Sequence, residues 1–128
     1  MDLGIRGKAG IVCASSKGLG KGCAMALAEA GVDLAINGRD AGLLARTAEE
    51  IRARHGVKVV EVAGDVAEPA VQAALVAAFP QVDILVNNNG GPPFRDFREL
   101  DREKILAGVT NHMVTPIELI KAVIDGMA

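Results

Sequence analysis

Tyrosine and tryptophan are absent from the 128 residues, and phenylalanine occurs only three times. Without a phenol the chain has no tyrosine hydroxyl to serve as a catalytic acid or base. Its interior must be filled by alanine, valine, leucine and isoleucine instead. Cysteine is scarce too: Cys13 and Cys23 show neither a C-x-x-C spacing nor partners at zinc-site intervals, which excludes a metal or redox pair. Both read as small buried hydrophobes. His55 and His112 stand alone, with no cluster of ligating residues around them. No apolar run approaches the ~20 residues that span a bilayer, and no apolar segment of signal type stands at the N-terminus. An excess of one charge is also lacking, since 14 basic and 16 acidic residues are interspersed for a net charge of -2. No face is therefore prepared for nucleic acid or an anionic membrane. A soluble, cytoplasmic protein is expected.

What remains is a chain that is 50% hydrophobic and long enough for one domain with a core. Short apolar runs alternate with helical patterns. Residues 9–13, 32–37, 58–63 and 82–87 read as strands. Helices are expected from Gly18 or Gly20 to Ala30 with Leu19, Cys23, Leu27 and Ala30 facing inward, over 40–55 with Asp40 as cap and Gly56 as stop, and from Pro69 to about Phe79. The charged residues Arg46, Arg52 and Arg54, with Glu49 and Glu50, read as a solvated helix face. Two prolines and two glycines mark a loop after Gly90. A long helix then runs from Arg102 to about Met127 with an apolar stripe from Leu106 to Ile124, and Pro116 is expected to kink or break it. Strands alternating with helices argue for right-handed βαβ units and a parallel sheet, an α/β fold occupying residues 1–128 as a single domain.

The first strand leads into Cys13-Ala14-Ser15-Ser16-Lys17-Gly18-Leu19-Gly20. A helix starting at Gly18 or Gly20 aims unpaired N–H groups and its positive dipole end at the bend, where a pyrophosphate could sit. Glycine lets ligand oxygens approach the main chain. A glycine-rich bend also serves tight turns without a ligand, so the context matters. The fourth strand ends in Asn87-Asn88-Asn89-Gly90, and Asp65-Val66 follows the third.

These residues resemble the short-chain dehydrogenase/reductase family, whose first turn reads T-G-x-x-x-G-x-G and whose fourth strand ends in N-N-A-G. Gly18 and Gly20 match two of the glycines, while Cys13-Ala14 replaces the leading Thr-Gly, and Ala14 adds a methyl that would open the turn slightly. The similarity runs from about Lys8 to Met127 and stops before the family's catalytic serine and Y-x-x-x-K motif. It implies a Rossmann-type sheet of order 3-2-1-4, truncated after the fourth strand and its following helix, with the ligand crevice at the topological switch point between strands 1 and 4. The resemblance implies cofactor contacts at Ser15, Ser16, Lys17, Gly18, Leu19, Gly20, Arg39, Asp65, Val66, Asn87, Asn88, Asn89 and Gly90. It also implies the family's catalytic asparagine at Asn111.

Several positions keep a second reading. Asp65 is equally a turn former after its strand, the three asparagines could be turn residues, and Asn111 could face water from mid-helix. Asn37-Gly38-Arg39 offers no carboxylate for a ribose 2′-hydroxyl, and Lys17 and Arg39 could converge on a 2′-phosphate, which favours NADP over NAD.

By resemblance to 3-oxoacyl-carrier-protein reductases, the expectation is the cofactor-binding half of an NADP-dependent oxidoreductase acting on a small carbonyl or alcohol, inactive by itself. Of the family's serine, tyrosine, lysine and asparagine it carries only Asn111. The alternative is a non-catalytic nucleotide-binding or interaction module. An exposed fourth strand and the last helix's stripe predict a homo-oligomer under either reading. A flavodoxin-type receiver is disfavoured, because only Asp65 and Asp83 are available for its acidic cluster.

Overall fold

The computed structural model describes residues 1–90 and 95–127. Four parallel strands, β1 (Ala9–Val12), β2 (Asp33–Gly38), β3 (Val59–Ala63) and β4 (Ile84–Val86), form one sheet in the order β3-β2-β1-β4. In register, Ile11 lies beside Ala35 on one side and Leu85 on the other. The chain runs outward from β1 through β2 to β3, then returns to place β4 on the opposite flank of β1. That reversal produces the switch point that the family resemblance implied.

Side-chain alternation along buried strands divides the core into two layers. Val12, Leu34 and Ile36 pack with Leu44 and Ile51 on one face. Ile11, Cys13 and Ala35 pack with Val71, Leu75, Leu119 and Val123 on the other. Each fully buried aliphatic side chain contributes about 1.5–3 kcal/mol. The first layer is covered by helices α1 (Gly18–Glu29) and α2 (Ala41–His55), the second by α3 (Pro69–Val76) and α5 (Thr115–Met127).

Helix α2 follows its sequence signals closely. The Asp40 carboxylate accepts the Leu43 N–H at 3.0 Å, and Gly56 ends the helix with a φ of 66°. Arg52 departs from the solvated face on which its charge places it. It donates to the Val59 carbonyl and pairs with Glu61 at 3.2 Å, covering part of the β3 edge.

The inward face of α1 differs from the expected one. Leu19 and Cys23 are exposed, and Gly20, Ala24 and Ala28 are the buried residues. The helix approaches the first turn so closely at Gly20 that a Cβ there would meet the Ala14 carbonyl, while expected Leu27 does pack, half-buried, against the core beside Met25.

The single long helix expected at the C-terminal end is three pieces: α4 (Arg102–Val109), a π-helical turn (Thr110–Val114) and α5. Pro116 lies one residue into α5. The wider turn before it absorbs the missing N–H, so the chain stays helical through the proline instead of breaking. In α5 the residues Thr115, Leu119 and Val123 face the sheet, while Ile117, Ile120 and Ile124 remain exposed. The loop expected after Gly90 falls largely on residues 91–94, outside the described residues. A short 3₁₀ turn (Phe97–Glu99) precedes α4. Among the described residues no helix is long and apolar enough to cross a membrane.

Candidate cofactor cleft

The turn after β1 is tied to both neighbouring strands before any ligand is considered. The Cys13 N–H donates to the Val86 carbonyl at 3.1 Å, and the Ser15 N–H to the Asn37 carbonyl at 2.7 Å. Ser15 is fully buried, with its hydroxyl donating to the Val12 carbonyl at 2.8 Å and accepting the Asn37 N–H at 3.1 Å. Its role here is to hold the bend from beneath. Thr47 of α2 donates to the Ser16 carbonyl at 2.7 Å and fixes the far side.

Asn37 is the residue that sequence reasoning missed. It is 2% exposed, and its carboxamide accepts the Ala14 N–H at 3.1 Å while donating to the carbonyls of Val62 and Gly64 at 3.0 Å each. One side chain therefore joins the first turn to the ends of β2 and β3. The available signal was an amide at the end of an otherwise apolar strand, where a buried polar group must be bonded.

Ala14 takes a φ of 46°, in the left-handed region that disfavours a side chain. This corrects the expectation that its methyl merely opens the turn: the methyl is accommodated as backbone strain at the position where the family carries glycine. Opposite it, a Cβ on Gly20 would overlap the Ala14 carbonyl oxygen and lie 2.9 Å from Asn88 Nδ2. The Asn88 amide donates to that same Ala14 carbonyl at 3.2 Å. Gly20 is thus a packing glycine behind the turn.

Helix α1 begins without a side-chain cap at Lys17, and the first helical bond runs from Lys21 N–H to the Lys17 carbonyl. The amides of Gly18, Leu19 and Gly20 precede that bond and have no partner within the helix. Gly18 and Leu19 line a cleft of about 500 Å³ that lies over the carboxyl ends of all four strands. Ser16, Lys17, Gly18 and Leu19 form one wall. Arg39 and Val66 stand beyond β2 and β3, and Asn88, Asn89 and Gly90 beyond β4. An uncapped helix start with glycine as its first residue suits a phosphate, and the 500 Å³ volume suits a ligand of nucleotide size. The residues present fit a dinucleotide.

Four expected site residues lie elsewhere. Ser15 and Gly20 sit behind the wall. Asn87 is exposed and lines a separate groove with Ile120, Val123 and Ile124. Asp65 stands beside the cleft: one oxygen accepts the Ala67 N–H at 2.9 Å, as a turn former does, and the other meets Arg39 at 3.6 Å.

Asn111 lies in the π-helical turn, half-buried. The Thr115 N–H bonds the Thr110 carbonyl. In that register the next donor would be Pro116 to the Asn111 carbonyl, and proline has no N–H. The Asn111 carbonyl is met instead by Asn89 Nδ2 at 3.5 Å. A chain of contacts thus connects the cleft wall to Asn111.

Burial pushes the Cys13 thiol up to about 11, with a hydrogen bond from the Asn88 backbone partly opposing the shift. It is a packing residue, inert at neutral pH. No group of three or more potential metal ligands occurs among the described residues.

Residues 8–128 match the family model for the short chain dehydrogenases. The chain belongs to this family. An uncharacterized oxidoreductase of Mycobacterium tuberculosis (strain CDC 1551 / Oshkosh) is 42% identical over 88 residues, 66% of this chain and 33% of that protein. One of Bacillus subtilis (strain 168) is 38% identical over 91 residues, 70% of this chain and 34% of that protein. Among solved structures, L-sorbose reductase from Gluconobacter frateurii, complexed with NADPH and L-sorbose, superposes with a TM-score of 0.93 at 32% identity, covering 99% of this chain and 50% of the reductase. The matched region is thus about a third to a half of these short-chain dehydrogenase relatives.

Proposed function

We propose that this chain binds NADP(H) in the cleft at the sheet's carboxyl end, as the cofactor-holding portion of an oxidoreductase that acts on a small carbonyl or alcohol. The observation that carries the reading is the uncapped start of α1, whose free amides open at the cleft with Lys17 and Arg39 as flanking cations. The NADPH complex of L-sorbose reductase, so similar in fold, supports the same cofactor. The amides of Gly18 and Leu19 would hold the pyrophosphate, and Arg39 with Lys17 the 2′-phosphate. Bound NADP(H) supplies the carbon that exchanges hydride. Asn88 and Asn89 shape the wall beyond β4, and the Asn111 carbonyl, which accepts from Asn89, would have a second lone pair for a water in a proton path.

No tyrosine is present in these residues to move the substrate's proton. Because a positioned acid or base contributes ~100- to 10,000-fold, the chain alone is expected to bind cofactor without turnover. Titrating nicotinamide fluorescence with NADPH and NADH tests the proposal. Tighter NADPH binding is expected, and equal, negligible binding of both overturns it. Arg39→Asp should shift the preference toward NADH.

A second reading, a non-catalytic nucleotide-binding or interaction module, is favoured by the exposed stripe of Leu106, Val109, Met113, Ile117, Ile120 and Ile124. We expect that stripe to join copies of the chain under either reading, in the cytoplasm. A clean monomer by size-exclusion chromatography at micromolar concentration contradicts the assembly. The two readings separate on whether the reading frame continues past Ala128 into a serine and a Tyr-x-x-x-Lys segment.

A further inference from the structure

The dipeptide Asn-Gly occurs twice in the chain, at Asn37-Gly38 and at Asn89-Gly90, and the fold treats the two in opposite ways. In the first pair the carboxamide is buried and fully engaged: its oxygen accepts the Ala14 N–H at 3.1 Å, and its nitrogen donates to the carbonyls of Val62 and Gly64 at 3.0 Å each. Gly38 is held as the last residue of β2. The second pair follows the end of β4, outside any helix or strand, with Asn89 half-buried and Gly90 exposed. There the Gly90 N–H donates to the Asn89 side-chain oxygen at 2.8 Å, so the backbone nitrogen already touches the carboxamide of the residue before it. Among the described residues Asn89 Nδ2 makes one long bond, 3.5 Å to the Asn111 carbonyl. Asn89 stands where the family motif N-N-A-G carries alanine, so this second pair is a feature of this chain.

We propose that Asn89 is a site of spontaneous deamidation, and that the acid formed there weakens dinucleotide binding in the cleft. The Gly90 amide nitrogen gives its proton to solvent base and bonds to Cγ of Asn89, while Nδ2 takes a proton from water and leaves as ammonia. Glycine favours this attack, because no side chain crowds the nitrogen and the chain turns freely. Water then adds to either carbonyl of the five-membered imide, giving aspartate or an isoaspartate whose main chain runs through the former side chain. Nothing is oxidised or reduced. Asn37 must first break three buried hydrogen bonds, which slows its conversion about 100-fold relative to Asn89. The effect on binding rests on the reading of the cleft as a dinucleotide site. Asn89 lines that cleft beyond β4, and a carboxylate in its place would share the space with the phosphates common to both dinucleotides. Its charge opposes NADP(H) and NAD(H) alike.

The test incubates the folded 128-residue chain in mildly alkaline buffer made with heavy-oxygen water, and follows the peptides that carry each Asn-Gly pair by mass and fragmentation. Conversion with uptake of one heavy oxygen at Asn89 should outpace that at Asn37 by about 100-fold. In urea the two pairs should react at similar rates, since the bonds that protect Asn37 are gone. Asn89→Gln, which keeps an amide but needs a larger ring, should remove the signal at that position. Equal conversion of the two pairs in the folded chain overturns the site, and so does an Asn89 that survives folded while it converts in urea. The converted chain, separated by anion exchange on its extra negative charge, is then titrated with NADPH and NADH by nicotinamide fluorescence. About 3- to 10-fold weaker binding of both is expected at low ionic strength. Unaltered affinity for either dinucleotide overturns the effect on the cleft. Failure of the unconverted chain to bind either one removes the cleft reading and that effect with it, while the mass of the Asn89 peptide still decides the deamidation.

Discussion

The carbonyl of Ala14 and the α-carbon of Gly20 are in such close apposition that a side chain at Gly20 would overlap the carbonyl oxygen. Because the obstruction is backbone, it cannot swing away as a flexible side chain would. Gly20→Ala should push α1 off the turn and cost about 1–3 kcal/mol. Urea unfolding measures this, and a loss below half a kcal/mol would show that the helix relaxes freely.

The strain at Ala14 predicts the opposite sign for the neighbouring change. With φ at 46°, the methyl occupies a region that costs a non-glycine residue about 1–2 kcal/mol. Glycine would relieve that and give back part through the greater entropy of its unfolded chain. Ala14→Gly is expected to stabilise the protein by about 0.5–1 kcal/mol, read as a raised urea midpoint with an unchanged slope.

Asn37, buried at the floor of the cleft, holds the turn to two strands, so its truncation should be costly. Asn37→Ala leaves the Ala14 N–H and the carbonyls of Val62 and Gly64 without their partner. Buried groups orphaned in this way cost about 1–3 kcal/mol each before water compensates. A loss of at least about 2 kcal/mol is expected, together with faster amide hydrogen exchange at Ala14.

Cys13 predicts a pH dependence with a definite sign. Its thiol ionises near its ordinary value of 9.0 when unfolded and at about 11 when buried. The unfolded chain therefore loses its proton first as pH rises. The folded state's advantage is complete below pH 9 and declines between pH 9 and about 11. Cys13→Ala should flatten that decline. With a thiol-reactive dye near pH 8, exposed Cys23 should label readily while Cys13 stays protected in the folded protein.

Much of the architecture was legible because its signals are local. Asp40 and Gly56 delimit α2, the apolar runs mark the strands, and the glycine-containing bend falls where β1 hands over to α1. The sheet order followed from the βα alternation together with the family resemblance. The face of α1 was only partly legible, because Leu19 and Cys23 are apolar at a helical period, but the close approach of Gly20 to the first turn rotates them outward and sets the buried face through Gly20, Ala24 and Ala28. Nor was the role of Asn37. An amide in a strand carries no mark of which backbone groups, distant in sequence, will need it.

By itself the sequence determined the alternation of strands and helices, the glycines of the turn and the lack of a tyrosine, since each is a matter of local propensity or composition. Only the tertiary structure decided that Asp65 pairs with Arg39, that Asn87 turns away from the cleft its neighbours line, and that the carbonyl of Asn111, with no N–H at Pro116 to meet it, accepts from Asn89. Those relationships join residues through strand register and helix geometry, which arise only when the whole sheet closes around its core.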